Sequence, residues 1–169
     1  GDAYTMVGFQ TRLTYPEQRR VISLIPALRH ADFLRYGSVH RNTYVDSPRV
    51  LETDLSLKCR RNTFLAGQIT GVEGYVESAA TGIFAGLSAC ARLKGACLEP
   101  PGPATALGAL MGYITLPPRG RFQPMNINFG VMQAVQAPRA RRAEIISARA
   151  HESFAMWLEH AGGILGETP

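Results

Sequence analysis

Phe64 to Ala89 reads FLAGQITGVEGYVESAATGIFAGLSA, and its reading decides the fold. It starts as a short apolar strand, breaks at a Gly-rich turn and continues as a long helix seeded with small residues. A strand that ends in such a turn and feeds a helix points backbone N–H groups without partners at whatever lies beyond the sheet edge. Those donors and the positive helix end favour an anion or an electron-rich carbonyl. Gly67, Gly71 and Gly74 remove side chains where a flat or phosphorylated ligand would press on the backbone. The competing reading is a tight strand–helix connection with nothing bound. The run is neither GxGxxG nor a Walker loop.

The helix is expected from near Gly74 to near Leu93, with Gly95 as its stop. Val76, Ala80, Ile83, Leu87 and Cys90 recur at three and four residues and predict the buried face. Ser78, Gly82, Ala85 and Ala89 make a second stripe of small residues that suits close packing. Upstream, Leu55 to Cys59 is read as a brief strand, Arg60-Arg61-Asn62 as a turn and Thr63 to Ala66 as the strand entering the Gly-rich turn.

Towards the N-terminus, Ala3 to Phe9 reads as a short strand. Thr14-Tyr15-Pro16-Glu17 reads as a helix start, with Thr14 as N-cap and Glu17 three residues on. That helix should run to about Leu24, and a short turn over Ala27 to Ala31 is expected to follow it. Phe33 to Val45 mixes β-branched, aromatic and polar residues and is read as mostly extended; Asp46-Ser47-Pro48 is a turn. Towards the C-terminus, Ala104 to Thr115 is a helix packed by Leu107, Leu110 and Met111, and Leu116 to Gly130 is irregular. Pro138 opens a last helix with Ile145, Ile146, Ala148, Phe154 and Leu158 available to pack and Trp157 as a core anchor.

Bulk properties bound the class. The chain has 169 residues, of which 46% are hydrophobic and 18% charged, enough for one domain with a core. It contains no apolar window long enough for a membrane span, and its first residues carry no signal-peptide pattern. Position 1 is Gly rather than Met, which suggests a fragment or a processed chain. Three cysteines, Cys59, Cys90 and Cys97, have no metal-type spacing. Cys90, inside a helical pattern, reads as a buried free thiol. A reducing cytoplasm fits. The net charge of +5 comes from 18 basic and 13 acidic residues, and 16 of the basic ones are Arg. Arg binds phosphate bidentately and stacks on bases, so an RNA partner gains weight.

AGQITGVEGYVESAATGIFAGLSA resembles the C-terminal flavin-contacting segment of the folate- and FAD-dependent tRNA (uracil-5-)-methyltransferases. A sister family that modifies wobble uridines with carboxymethylaminomethyl groups has a similar AGQ–NG–GY–EAA run. Three further stretches resemble the methyltransferase branch: MVGFQTRLTYPEQRRVISLIPAL (Met6–Leu28), RYGSVHRNTYVDSPRVL (Arg35–Leu51) and FQPMNINFGV (Phe122–Val131). HRNT and QPMNINFG argue against the sister branch. The resemblance covers roughly Tyr4 to Val131.

The resemblance implies an α/β (α+β mixed) fold: the C-terminal part of a glutathione-reductase-type FAD-binding domain plus part of its insertion domain. Residues 1–54 would be the insertion-domain portion and return segment, 55–131 the C-terminal portion of the FAD domain, and 132–169 a C-terminal helix and tail. The dinucleotide fingerprint of the family's N-terminal half is absent from this chain, and none of its cysteines falls in a matching motif. The rest of the site, catalytic cysteines included, should then lie upstream on another part of the protein.

The implied function is methylation of C5 of a tRNA T-loop uridine, with methylenetetrahydrofolate as carbon donor, reduced FAD, and NAD(P)H as source of reducing equivalents. The chain alone would be inactive. Gly67, Gln68, Ile69 and Gly71 match the turn that approaches the flavin, and Glu73, Gly74, Tyr75 and Val76 match the helix start beside it. Tyr36, His40, Arg41 and Asn42 form a second cluster. His40 could stack on a pterin or move a proton, and Arg41 could pair with a folate glutamate or an RNA phosphate; alternatively, His40 is a hydrogen-bonded structural residue. Gln123, Asn126 and Asn128 could read a ring edge or cap the local backbone. The groups Arg19/Arg20, Arg60/Arg61 and Arg139/Arg141/Arg142 suit tRNA phosphates, or are solvated surface. The expected partners are tRNA and the N-terminal half of the same enzyme, with self-association of the isolated piece. The alternatives are a wobble-uridine-modifying FAD enzyme and a non-catalytic fragment that binds RNA or a partner chain.

Overall fold

The structure, a computed structural model, describes residues 3–6, 11–37, 42–117 and 120–166. The chain divides into two compact units, Gly1–Arg41 and Asn42–Pro169. No helix among the described residues is long and apolar enough to cross a membrane.

In the first unit, helix α1 spans Tyr15–Ile22 and a single 3-10 turn spans Pro26–Leu28. Thr14 occupies the N-cap position and Pro16 sits in the first turn, but the expected capping box does not form. Glu17 turns instead to Arg20, at 2.6 Å, an i,i+3 pair on the helix surface. Gln18 does the tying: its Nε2 donates to Leu13 O (2.9 Å) and Gly37 O (2.8 Å), and its Oε1 accepts from Gly37 N (3.0 Å). Ala3–Met6 forms no strand, and Phe33–Gly37 is irregular rather than part of a ladder.

In the second unit, a one-turn helix α2 (Ser47–Val50) replaces the simple turn expected at Asp46–Pro48. Strands β1 (Ser56–Leu57) and β2 (Arg60–Phe64) pair antiparallel with a register irregularity. The expected turn at Arg60–Asn62 is therefore strand, and Lys58-Cys59 makes the hairpin connection. Leu55, fully buried, adopts φ +67° just before β1. A left-handed Leu costs about 1–2 kcal/mol, which burial of its side chain offsets at about the same magnitude.

Helix α3 (Tyr75–Leu93) carries Glu77 in its first turn and Arg92 in its last, matching the helix dipole. It ends in a Schellman arrangement: Gly95 has φ +74°, its N–H bonds to Arg92 O (2.9 Å), and Ala96 N bonds to Ala91 O (2.9 Å). Helix α4 (Ala106–Thr115) is capped by Thr105, whose Oγ1 accepts from Gly108 N at 2.9 Å. Helix α5 (Arg139–Leu165) follows Pro138.

The core joins Leu51, Leu55, Val72, Phe84, Ala91, Leu98, Leu110, Met111, Ile114 and Phe122. Trp157 packs at its edge, 6.2 Å from Phe84 between ring centroids, with its Nε1 donating to Glu99 O at 2.8 Å. That matches the anchor expected of it. On α5, Ile146 is buried, whereas Ala148 and Leu158 are exposed.

The expected core face of α3 is corrected. Thr81, Phe84, Ala85, Ser88 and Ala91 are the buried residues. Val76 and Ile83 are 80% and 66% exposed, and Cys90 is exposed rather than buried. The helix carries two apolar stripes at helical spacing, and periodicity alone does not say which one the rest of the described chain covers.

Candidate functional site

The segment from Ala66 to Glu77 is held by a network built from its own short residues. Gly67 (φ +68°) and Thr70 bound a 3-10 turn, and Gly71 (φ +80°) closes it in the left-handed region. The Gly67 N–H donates to Thr81 Oγ1 (3.0 Å, buried), and Thr81 in turn bonds back to the carbonyls of Glu77 and Ser78, each at 3.0 Å. Thr70 Oγ1 donates to Gly67 O at 2.7 Å, and Thr70 O accepts from Ser47 Oγ at 2.9 Å. Ile69 O accepts from Val45 N at 2.9 Å.

A second tie joins the turn to the irregular segment after α4. Val72 pairs with Met125 in a parallel bridge. Glu73 N donates to Met125 O (3.0 Å) and Met125 N to Gly71 O (2.9 Å). Gly71 is required here for space as well as for φ, because a Cβ would lie 2.6 Å from Phe122 Cζ.

These bonds correct the expectation of a bare backbone with N–H groups left without partners along the turn. The N–H groups of Gly67, Gly71 and Glu73 are spent inside the protein, on Thr81, Gln68 and Met125. The helix start is different. Gly74 (φ +103°) is the N-cap and supplies no side-chain cap. Helical geometry offers no acceptor to the N–H groups of Gly74, Tyr75, Val76 and Glu77. The Glu77 side chain folds back over Gly74, into the space a Cβ there would take. Tyr75 is 97% exposed. Gln68 and Glu73 are also exposed. Acceptor-seeking donors at the positive end of a 19-residue helix make a place for an electron-rich group.

The other expected residues fall as follows. His40 and Arg41 lie outside the described residues. Tyr36 stacks on Tyr15 (5.5 Å) and Phe33 (5.7 Å), and Asn42 is exposed. Asn128 caps local backbone: its Oδ1 accepts from Gly130 N at 2.8 Å and its Nδ2 donates to Asn126 O at 3.2 Å. Arg19 is exposed on α1, beside the Glu17-paired Arg20. Arg60 is exposed on β2 next to Arg61, which pairs with Glu52 at 2.8 Å. At the start of α5, Arg139 is exposed, Arg141 lies 3.6 Å from Glu144, and Arg142 donates to Ala137 O at 3.4 Å.

Two arrangements escaped the sequence reading. Arg92 lies over the Phe64 ring (5.2 Å), donates to Asp54 and to Arg61 O, and so locks α3 onto the hairpin. Tyr44, Asp46, Arg49, Gly120, Arg121 and Phe122 line an open concavity of about 520 Å³. Its Phe122 is the residue that packs on Gly71. Both arrangements join residues far apart in the chain, so spacing gave no signal. The three cysteines are free and exposed, and burial pushes the Cys97 thiol up, helped by the nearby Glu99 and Asp54 carboxylates. Among the described residues no group of His, Cys, Asp and Glu could hold a metal ion.

Comparison with known proteins accords with the motifs. Over 162 residues, 95% of this chain, it is 52% identical to a methylenetetrahydrofolate–tRNA-(uracil-5-)-methyltransferase of Nitratidesulfovibrio vulgaris, of which it covers 34%. Proteins of the same name from Syntrophus aciditrophicus and Myxococcus xanthus are 50% and 49% identical over 91% and 96% of this chain, which covers 35% and 37% of them. The chain thus spans about a third of the length of the curated relatives it matches. The sequence model of the family described as Glucose inhibited division protein A matches residues 1–97. With the turn, its glycines and the helix they open all inside that match, the chain belongs to the glucose inhibited division protein A family.

Proposed function

We propose that this chain is the C-terminal portion of a flavoprotein that methylates C5 of a tRNA T-loop uridine, and that it is inactive without the N-terminal half. The observation that carries the reading is α3 itself. Its N-terminus offers uncapped donors, and it has a second apolar stripe, Val76, Ile83 and Leu93, that stands 66–90% exposed. A helix apolar on both sides is built for burial on both sides. The names of the relatives and the roughly one-third coverage support assigning the uncovered face to the N-terminal half.

In this reading residues 1–54 belong to an insertion domain, 55–131 close a glutathione-reductase-type FAD domain, and 132–169 are a terminal helix and tail. Gly67, Gln68, Ile69, Gly71, Glu73, Gly74, Tyr75 and Val76 would form the flavin-facing wall. The residues fit such a group once Glu77 moves: no side chain hydrogen-bonds the helix start, and Gly74 leaves over its backbone only the space that the Glu77 carboxylate now fills. Bound there, FAD would supply redox chemistry, with methylenetetrahydrofolate as carbon donor and NAD(P)H as reductant. The chain's own part is to hold negative charge at the Tyr75–Glu77 amides and to swing the Glu77 carboxylate off Gly74. His40 would stack on the pterin or carry a proton, and Arg41 would pair with a folate or RNA anion. Arg19, Arg20, Arg60, Arg61, Arg139, Arg141 and Arg142 would contact tRNA phosphates. A cytoplasmic location follows from the tRNA substrate.

The test is flavin absorbance and fluorescence of the purified chain, alone and combined with the upstream half. FAD retained only by the combined halves supports a split site. No flavin in either condition, with a tRNA gel shift, would favour an RNA-binding fragment.

A further inference from the structure

We propose that the concavity between Tyr44 and Arg121 is a nucleotide subsite for tRNA, with Tyr44 as the base platform and Arg49 and Arg121 as the phosphate contacts. The inference rests on the tRNA reading above and assigns residues that the Arg groups of the sequence did not include.

The site is made by two segments distant in sequence. Tyr44, Asp46 and Arg49 come from the start of the second unit and from α2; Gly120, Arg121 and Phe122 come from the segment after α4. Their meeting is fixed at its base. Phe122 is buried, edge-on to Tyr44 at 6.1 Å and tilted on Tyr113 at 5.7 Å, and it fills the space above Gly71. Tyr44 is thereby held from one side and still 37% exposed on the other. A supported, half-open aromatic ring is what base stacking needs, and it accepts any base.

The charges complete the chemistry. The Asp46 carboxylate holds Arg49 Nε at 3.1 Å, which leaves the two terminal guanidinium nitrogens directed elsewhere. Arg121 is exposed and has no acidic partner within ion-pair distance among the described residues. The lining therefore carries a net positive charge even with Asp46 counted. A volume of about 520 Å³ admits one nucleotide and lies within the range of about 300–1,000 Å³ usual for ligand sites. The open side lets a chain enter and leave, as a strand of RNA requires and an enclosed small-molecule site does not. Two guanidinium groups, one flat ring and an open rim match an unpaired nucleotide of RNA.

The experiment uses the full-length protein and an unmodified tRNA transcript. Filter binding is measured across a salt series for the wild type, Arg121→Ala, Arg49→Ala and Tyr44→Ala. Each Arg variant should weaken binding several-fold and reduce the salt slope by about 1. Tyr44→Ala should weaken it by about 5- to 100-fold with the slope unchanged, since stacking releases no counterions. In parallel, tRNA carrying 5-iodouridine is photo-crosslinked and the modified peptide mapped; a cross-link on Tyr44 supports the subsite. Unchanged affinity and slope in all three variants, with no cross-link between Asn42 and Val50, would overturn it. So would variants that raise the KM for the folate donor while tRNA binding stays intact, because the concavity would then hold a small anion. FAD absorbance is recorded for each variant. Loss of flavin speaks to the split flavin site, whereas loss of RNA with flavin retained speaks to this subsite alone.

Discussion

The amide of Gly67 donates to the hydroxyl of Thr81 across 3.0 Å of buried space, joining the start of the Gly-rich turn to the second turn of α3. The Thr81 hydroxyl also reaches the carbonyls of Glu77 and Ser78, but the buried Gly67 N–H has this oxygen as its acceptor. Thr81→Val keeps the shape and β-branching but leaves a buried N–H unpaired, at a cost of about 1–3 kcal/mol. Thr81→Ser retains the acceptor and should recover most of the loss. Urea denaturation of the three proteins checks this; equal midpoints for Val and Thr would sink it.

Gly71 faces two constraints, and they can be separated. At φ +80° any L-residue is strained, and a Cβ would strike Phe122. Gly71→Ala should therefore destabilise by more than the roughly 1–2 kcal/mol of left-handed strain alone. Adding Phe122→Leu should return the excess and leave the backbone cost. A double-mutant cycle with additive effects would mean that the ring and the glycine do not meet.

Asp54 is nearly buried and accepts from Ser56 N (3.0 Å), Ser56 Oγ (2.6 Å) and Arg92. Arg92→Ala leaves that carboxylate without its cation, and Asp54→Ala leaves Ser56 N without an acceptor. Each should cost about 1–3 kcal/mol, and the pair should couple by at least about 0.5 kcal/mol. Thermal melts of the singles and the double supply the cycle, and zero coupling would refute the lock between α3 and the hairpin.

Desolvation and the Glu99 carboxylate both disfavour the thiolate at Cys97. A raised thiol pKa means less thiolate at pH 8, so Cys97 should react with iodoacetamide more slowly than an ordinary exposed thiol. Its rate should climb with pH beyond the usual thiol range. Glu99→Gln removes one of the opposing charges and should speed the reaction at fixed pH. Peptide mapping after timed alkylation tests both; a faster-than-ordinary Cys97 would contradict the sign.

The sequence made local features legible where backbone chemistry is local. The limits of α3, the Gly95 stop, the α4 helix and the Trp157 anchor follow from capping residues, glycines and periodicity, and the structure has them. It misled where several partners compete for one residue. Glu17 suits a capping box, yet Arg20 three residues on takes its carboxylate. Leu55 carries no sign that it will turn left-handed, because the cause is burial of its side chain in a core gathered from distant segments. Of the site, the glycines of the turn were readable. The roles of Thr81, Met125 and Phe122, which consume its donors and fill its space, were not, since docking α3 on the turn sets the first and the segment after α4 supplies the other two.

The two-faced α3 yields the last prediction. Val76 and Ile83 both sit on the stripe that the described chain does not cover, and Leu93 ends it. An exposed apolar strip of that length favours self-association of the isolated chain. Ile83→Glu should shift it towards monomer and reduce dye binding, and it should barely change the melting temperature, since that side chain has little packing to lose. In combination with the N-terminal half the same substitution should work in the opposite sense. A carboxylate buried without a partner costs several kcal/mol, so assembly of the halves should weaken by at least about 30-fold, the factor that 2 kcal/mol represents. Analytical ultracentrifugation of the chain alone and of the mixed halves measures both. If Ile83→Glu left assembly of the halves intact, the stripe would not be the interface, and its exposure in the isolated chain would be only a solvent-facing surface.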